Sequence, residues 1–245
     1  MDLFPKYILV TGATSGIGRN LVEFLVRNPN LHVFGIGRDS SKLGDLLNCS
    51  NFTFLQFDLT QIDRINELIN DSLSGVKLSG FVHCAGMEET LPISLYTPAK
   101  VQNIFSLNVF SAIEILRILS KKKFSEDGAS FILLSSVMGE LGQAGKVGYC
   151  SSKAALIGIV KALSLELAKR KIRVNSVSPG VVQTPLTDKL FQQLDEDGVK
   201  SIINMHPLGI GETEDVVATL AFLLSKESKW ITGQNFKIDG GYSAH

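Results

Sequence analysis

The stretch GYCSSK at positions 148–153 places a tyrosine and a lysine four residues apart, Tyr149 and Lys153. Residues at that spacing share a face of a helix. A phenol beside an ammonium group is equipment for moving a proton to or from an oxygen atom, because the cation stabilises the phenolate. The spacing alone does not separate chemistry from two polar residues on a helix surface. The following residues add weight, since Leu156, Val160, Leu163 and Leu167 continue the same stripe. The pair therefore stands at the N-terminal end of an inward apolar face. A lysine is unfavourable there, being desolvated and near the positive end of the helix dipole.

A second chemistry is written in VTGATSGIG, 10–18, which follows a strand-like run and opens a helical one. Glycine at 12 lets the chain turn sharply. Gly16 and Gly18 let the backbone approach a pyrophosphate and the helix pack on its strand. The first amides of the helix and its dipole then favour an anion. The spacing is Gly-x-x-x-Gly-x-Gly. Where the second strand ends, the chain reads Gly35-Ile36-Gly37-Arg38. An acidic residue there would take the ribose hydroxyl of NAD, whereas a guanidinium grips a 2′-phosphate. Arg38 thus favours NADP, with Asp39 keeping NAD as the alternative.

These groups need elements to hold them. Short β-rich runs at 7–11, 32–37, 51–57, 80–85, 130–135, 172–179 and 235–239 alternate with helical periodicity. Helices are expected from Ile17 to Leu25, over 62–73, twice within 97–121, over 149–170 and over 213–225. Strand, helix, strand in repetition predicts crossover connections and an α/β fold, a doubly wound parallel sheet with helices on both faces. No linker or internal repeat interrupts the chain, so 1–245 reads as a single domain, with a substrate lid over 183–211.

Composition bounds the partners. The chain has 245 residues, 44% hydrophobic and 20% charged, with zero formal net charge. No basic surplus points to nucleic acid. The three cysteines, Cys49, Cys84 and Cys150, form no paired spacing and fit a reducing compartment. No leader pattern opens the chain and no apolar run reaches membrane-spanning length. A cytoplasmic protein without membrane partners is expected. The four histidines are scattered, so no metal site is expected.

The ordered set VTGATSGIG (10–18), FDLT (57–60), HCAG (83–86), LNV (107–109), SSV (135–137), YCSSK (149–153), PGVVQT (179–184) and ITGQNFKIDGG (231–241) resembles the short-chain dehydrogenases/reductases, most of all the β-ketoacyl-acyl-carrier-protein reductases. Ser136 lies thirteen residues before Tyr149, the interval usual in that family. The resemblance implies a Rossmann-type sheet of about seven strands and a nicotinamide cofactor. It implies a catalytic set of Asn108, Ser136, Tyr149 and Lys153. It also implies cofactor contacts from Gly12, Thr14, Ser15, Gly16, Ile17 and Gly18, from Asp58 and Leu59 near the adenine, and from the wall Cys84, Ala85 and Gly86. Tyr149 and Lys153 join them, with Pro179, Gly180, Val182 and Thr184 around the nicotinamide. It further implies a homotetramer or homodimer.

In that frame the opening pair acquires a reaction. Reducing a ketone needs a hydride on carbon and a proton on oxygen. Tyr149 would give the proton in reduction and take it in oxidation, its pKa lowered by Lys153, which would also grip the ribose, and in the oxidised complex by the positive nicotinamide. Ser136 would hydrogen-bond the carbonyl oxygen as it gains charge. Asn108 would link Lys153 to solvent through water. The family often has Asn-Asn-Ala-Gly where this chain has His83-Cys84-Ala85-Gly86, and His83 reads as a structural hydrogen-bonding residue. Ile210 stands where an arginine is frequent, which bears on lid anchoring. Glu88 and Glu89 fall near the expected substrate mouth and read as exposed loop carboxylates, with discrimination against an acidic substrate as the alternative.

The expected substrate is a small carbonyl compound or acyl thioester, first a 3-oxoacyl thioester. An acyl carrier protein would then dock on Lys121–Lys123 and Arg170, residues that equally suit a solvated helix end. Sugars, polyols and other small ketones are the alternative. A non-catalytic dinucleotide-binding subunit is a second one, disfavoured because all four catalytic positions are present. An epimerase or dehydratase on the same fold is disfavoured by the short C-terminal region.

Overall fold

The computed structural model describes residues 7–192 and 194–244. Strands β1 (Tyr7–Thr11), β2 (His32–Gly37), β3 (Phe52–Gln56), β4 (Leu78–His83), β5 (Ser125–Leu134), β6 (Arg173–Pro179) and β7 (Asn235–Ile238) form one sheet. Its order is β3-β2-β1-β4-β5-β6-β7, and every pairing is parallel. The helices are α1 (Gly16–Leu25), α2 (Ile65–Ser72), α3 (Pro98–Phe105), α4 (Ser111–Leu119), α5 (Val147–Glu166), α6 (Pro185–Phe191), α7 (Glu196–Asn204) and α8 (Thr213–Leu224).

Strands β4 and β6 are buried along their whole length, as expected where helices cover both faces of a parallel sheet. Alternation of side chains divides the core in two. Leu9, Phe81, Phe131 and Val174 pack with Ile69 of α2, Ile115 of α4, and Leu156 and Val160 of α5. Their neighbours Ile8, Val10, Val82, Ile132 and Val177 face the other way, against Leu21 and Leu25 of α1 and Val216 and Leu220 of α8. The stripe on α5 lies as its spacing predicts: Tyr149, Lys153, Leu156, Val160 and Leu167 are all buried.

Because β1 has β2 on one side and β4 on the other, the winding reverses between β1 and β4. Such a reversal leaves a crevice at the carboxyl ends of the strands. Gly12 follows β1 and Cys84 follows β4, so both chains enter that crevice.

The elements depart from expectation in four places. β5 begins at Ser125 rather than 130, because Ser125 pairs with Leu78 across an irregularity in the ladder. Its polar start hides this in the sequence. The two helices within 97–121 are joined by a π-helical turn, Ser106–Phe110, which carries Asn108. α5 starts at Val147 and gives way to a 3-10 turn at Ala168–Arg170. Between β6 and α8, α6 and α7 are followed by a single bridge from Val182 to Gly211.

Candidate active site

At the switch point lies a cavity of about 780 Å³, lined from α1 to the C-terminal segment. One end is the glycine cradle. Gly12 has φ of 70°, and a Cβ on it would stand 2.9 Å from the amide nitrogen of Ala85. A Cβ on Gly18 would stand 2.5 Å from the carbonyl oxygen of Gly12. The glycines are thus required by close backbone approach. Ser15 precedes α1 in extended conformation and makes no side-chain cap, leaving the first amides of the helix for an anion. Thr14, Ser15, Gly16, Ile17, Asp58, Leu59, Cys84, Ala85 and Gly86 all line this part. This cradle fits a dinucleotide pyrophosphate.

The adenosine end is basic. Arg38 lines the cavity, and so does Lys42, which the sequence reading did not single out. Asp39 is held locally: its Oδ1 accepts from the Ser41 amide at 3.0 Å and the Ser41 hydroxyl at 2.6 Å, and its Oδ2 lies 3.9 Å from Lys42 Nζ. Asp58 Oδ1 accepts from the Thr60 amide at 3.0 Å and hydroxyl at 2.9 Å, which fixes its loop.

Three groups converge beyond the strand ends. Ser136 caps the 3-10 turn Val137–Gly139, its Oγ accepting the Met138 amide at 3.2 Å. Tyr149 is buried, and its phenol interacts with the Ser136 side chain. Lys153 donates through Nζ to the Leu134 carbonyl at 2.8 Å and lies 5.7 Å from the centre of the Tyr149 ring. Burial lowers the Lys153 ammonium to about 8, against the attraction of Cys84 and Glu88. Burial, and then the charge of Glu88, push the Tyr149 phenol well above its ordinary value, opposed by the Ser136 hydrogen bond. In the protein alone the phenol is therefore raised rather than lowered, and Lys153 is not among the causes.

Asn108 is fully buried and turned inward. Its Nδ2 donates to the Met87 carbonyl at 3.0 Å and to Ser152 Oγ at 2.9 Å, and its Oδ1 accepts the Met87 amide at 2.8 Å. Lys153 Nζ and Asn108 Oδ1 flank Gly86, where a Cβ would stand 3.3 Å and 3.5 Å from them. His83 is fully buried behind this wall. The Thr11 hydroxyl accepts the Ala85 amide at 3.1 Å and lies 3.0 Å from His83 Nδ1. Nε2 faces the carbonyls of Leu107 and Asn108 without reaching hydrogen-bond geometry. Burial, then the charge of Lys153, lowers the His83 pKa to about 3. Cys84 is pushed by burial up to about 12, opposed by Lys153, and is an inert thiol at neutral pH.

The far wall is formed by Pro179, Gly180, Val182 and Thr184, with Leu186, Leu190, Ile202 and Met205 of the 183–211 segment. His206 ties that segment down: Nδ1 donates to the Ile202 carbonyl at 2.8 Å and Nε2 accepts the Val181 amide at 3.1 Å. His206 is thus one anchor of the segment, beside the backbone bonds that join Gly211 to Val181 and Gln183. Nothing in the sequence pattern signals this role, which needs the fold to bring Val181 to the histidine.

Glu88 and Glu89 are not free loop carboxylates. Glu88 pairs with Lys146, and Glu89 with Lys100 at 2.6 Å. Lys146 was also missed; it stands just before α5, outside the helical stripe that the spacing shows. The basic residues expected to dock a carrier lie elsewhere. Lys121–Lys123 are exposed just before β5. Arg170 is spent on Asp127 Oδ1 at 2.8 Å and on Ser120 and Ser125. These residues lie where β5 and β6 begin, whereas the cavity opens where the strands end.

Comparison with known proteins agrees with this geometry. A family model described as enoyl-(acyl carrier protein) reductase matches residues 12–243. A 3-oxoacyl-[acyl-carrier-protein] reductase of Rickettsia felis is 34% identical over 245 residues, covering 98% of each chain. Among solved structures, 4-hydroxyisoleucine dehydrogenase complexed with NADH is 28% identical with a TM-score of 0.90, covering 98% of this chain and 99% of that one. ElxO with NADP bound is 26% identical with a TM-score of 0.84, over 99% of this chain and 100% of that one. The chain belongs to the short-chain dehydrogenase/reductase superfamily. It is an NAD(P)(H)-dependent oxidoreductase on a doubly wound seven-stranded sheet. Among the described residues no helix is long and apolar enough to cross a membrane.

Proposed function

We propose that this protein interconverts a ketone and a secondary alcohol, with NADP(H) preferred over NAD(H). The observation that carries the reading is the convergence of the Ser136 hydroxyl, the Tyr149 phenol and the Lys153 ammonium at one wall of a cavity whose other end is a phosphate cradle. The bound nicotinamide would supply or accept the hydride. Tyr149, held as the neutral phenol, gives its proton to the carbonyl oxygen in reduction. In oxidation the same phenol must act as base, which requires added positive charge beside it. Ser136 donates to the oxygen as charge develops there. Lys153 holds the ribose and, together with the positive charge of the oxidised nicotinamide, stabilises the phenolate. Asn108 fixes the π-helical turn and Met87, and in this reading it would link Lys153 to solvent through a water for proton resupply. Arg38, seconded by Lys42, grips the 2′-phosphate.

The curated relative supports a 3-oxoacyl thioester as substrate. A carrier protein would have to approach the cavity mouth and not Lys121–Lys123. The paired charges of Lys146 and Glu88 in the cavity favour a second reading, a small polar carbonyl compound such as a sugar, polyol or hydroxy-acid derivative. A single domain with a lid over 183–211 and a homo-oligomer complete the proposal. The test is oxidation of NADPH and NADH, followed by absorbance, with acetoacetyl thioesters, keto sugars and oxo acids. Turnover with one class supports the reaction and names the substrate. Tight NADPH binding with no turnover of any of them sinks the catalytic assignment and leaves a dinucleotide-binding subunit.

A further inference from the structure

One ion pair in the substrate half of the cavity has no part in the roles above. Lys146 is the residue immediately before α5. It is 4% exposed and lines the cavity, as does Glu88. Its ion-pair partner is Glu88 Oε1, on the loop after β4. An ammonium has three donors, and Glu88 takes one. The other two have no protein acceptor among the described residues.

A buried ammonium with spare donors is costly unless a ligand completes its shell. A purely structural clamp is not needed at this place. The two loops are already joined by the Leu91 amide donating to the Gly145 carbonyl at 2.8 Å, and the 88–91 loop is tied to α3 through Glu89 and Lys100. The charge balance points the same way. The cavity lining carries Arg19, Arg38, Lys42, Lys146, Lys153 and Lys189 against the carboxylates Asp58 and Glu88, so a bound anion meets a net positive surround.

We propose that Lys146 is the specificity-determining residue of this site, and that the substrate is a carbonyl compound bearing its own carboxylate, an oxo acid. The carboxylate takes the two spare donors of Lys146, and Glu88 is the resident counter-ion. This rests on the oxidoreductase reading and selects the small polar substrate over the thioester.

The test compares turnover of acetoacetate and levulinate with their methyl esters, in wild type, Lys146→Met and Glu88→Gln. In parallel, butanoate and butanamide are titrated calorimetrically into the NADP-loaded protein as non-reacting probes. Wild type should prefer acid to ester, and Lys146→Met should lower that preference by about 100-fold, as expected for a desolvated charge contact. Glu88→Gln should move the preference the opposite way, by about ten-fold, because a competing carboxylate is gone. A merely structural pair would make both variants fall together on both substrates, which overturns the proposal. Equal binding of butanoate and butanamide by wild type overturns it as well, whether or not any ketone turns over. Binding of butanoate that depends on Lys146, with no turnover of any ketone, upholds the anion site and rejects the oxidoreductase reading alone.

Discussion

At the residue scale the site is governed by desolvation. Tyr149, Lys153 and His83 are each pushed by burial toward their neutral forms. Tyr149→Phe removes the proton donor but no packing volume of consequence. Its kcat should fall by about 10²–10⁴, the range of a general acid, with NADPH affinity nearly unchanged. Wild-type rates in that variant, measured by steady-state kinetics, would remove Tyr149 from the mechanism. His83 contributes to stability through linkage. Its folded pKa of about 3 lies below the ordinary 6.5, so the unfolded chain binds the proton first. The stabilisation is full above pH 6.5 and is lost as pH falls toward 3. Chemical denaturation across that window should show a drop of a few kcal/mol, on the order expected from the shift, that is absent in His83→Asn.

At the element scale the proposed preference for NADP(H) rests on the tip of β2 and the turn after it. Arg38 and Lys42 line the adenosine end, while Asp39 is occupied by Ser41. Arg38→Ala should weaken NADPH by roughly 10- to 100-fold and NADH by less than about three-fold, since a charge-assisted pair to phosphate is lost only from the former. Fluorescence titration with both nucleotides checks it, and equal losses would assign the phosphate to other residues. The π-helical turn between α3 and α4 is the second decisive element. It gives Asn108 its inward aim, where Met87 and Ser152 hold it.

At the scale of the molecule, parallel winding in two directions from β1 and β4 creates the crevice, and every site residue lies at that one end. The same layer that carries α4 and α5 leaves Phe110, Ile113, Val147 and Leu165 exposed, Leu165 at 80%. Apolar side chains so presented favour self-association. Sedimentation should give a species larger than the 26.6 kDa chain, a tetramer or dimer. A monomer at micromolar concentration would contradict the proposed oligomer.

Much of this was legible in the residues because it is local. The alternation of runs, the inward stripe of α5 and the glycine cradle follow from periodicity and backbone sterics over a few neighbours. The sequence by itself determined the element order, the cradle and the spacing of Ser136, Tyr149 and Lys153. Only the tertiary structure decided what each polar group meets. It joined Lys146 to Glu88 and His206 to Val181, tied Arg170 to Asp127 where β5 and β6 begin, and buried Tyr149. These outcomes depend on contacts between residues dozens of positions apart and on removal from water. Neither is encoded in the spacing of any short segment, since burial and pairing are properties of the assembled sheet and its covering helices.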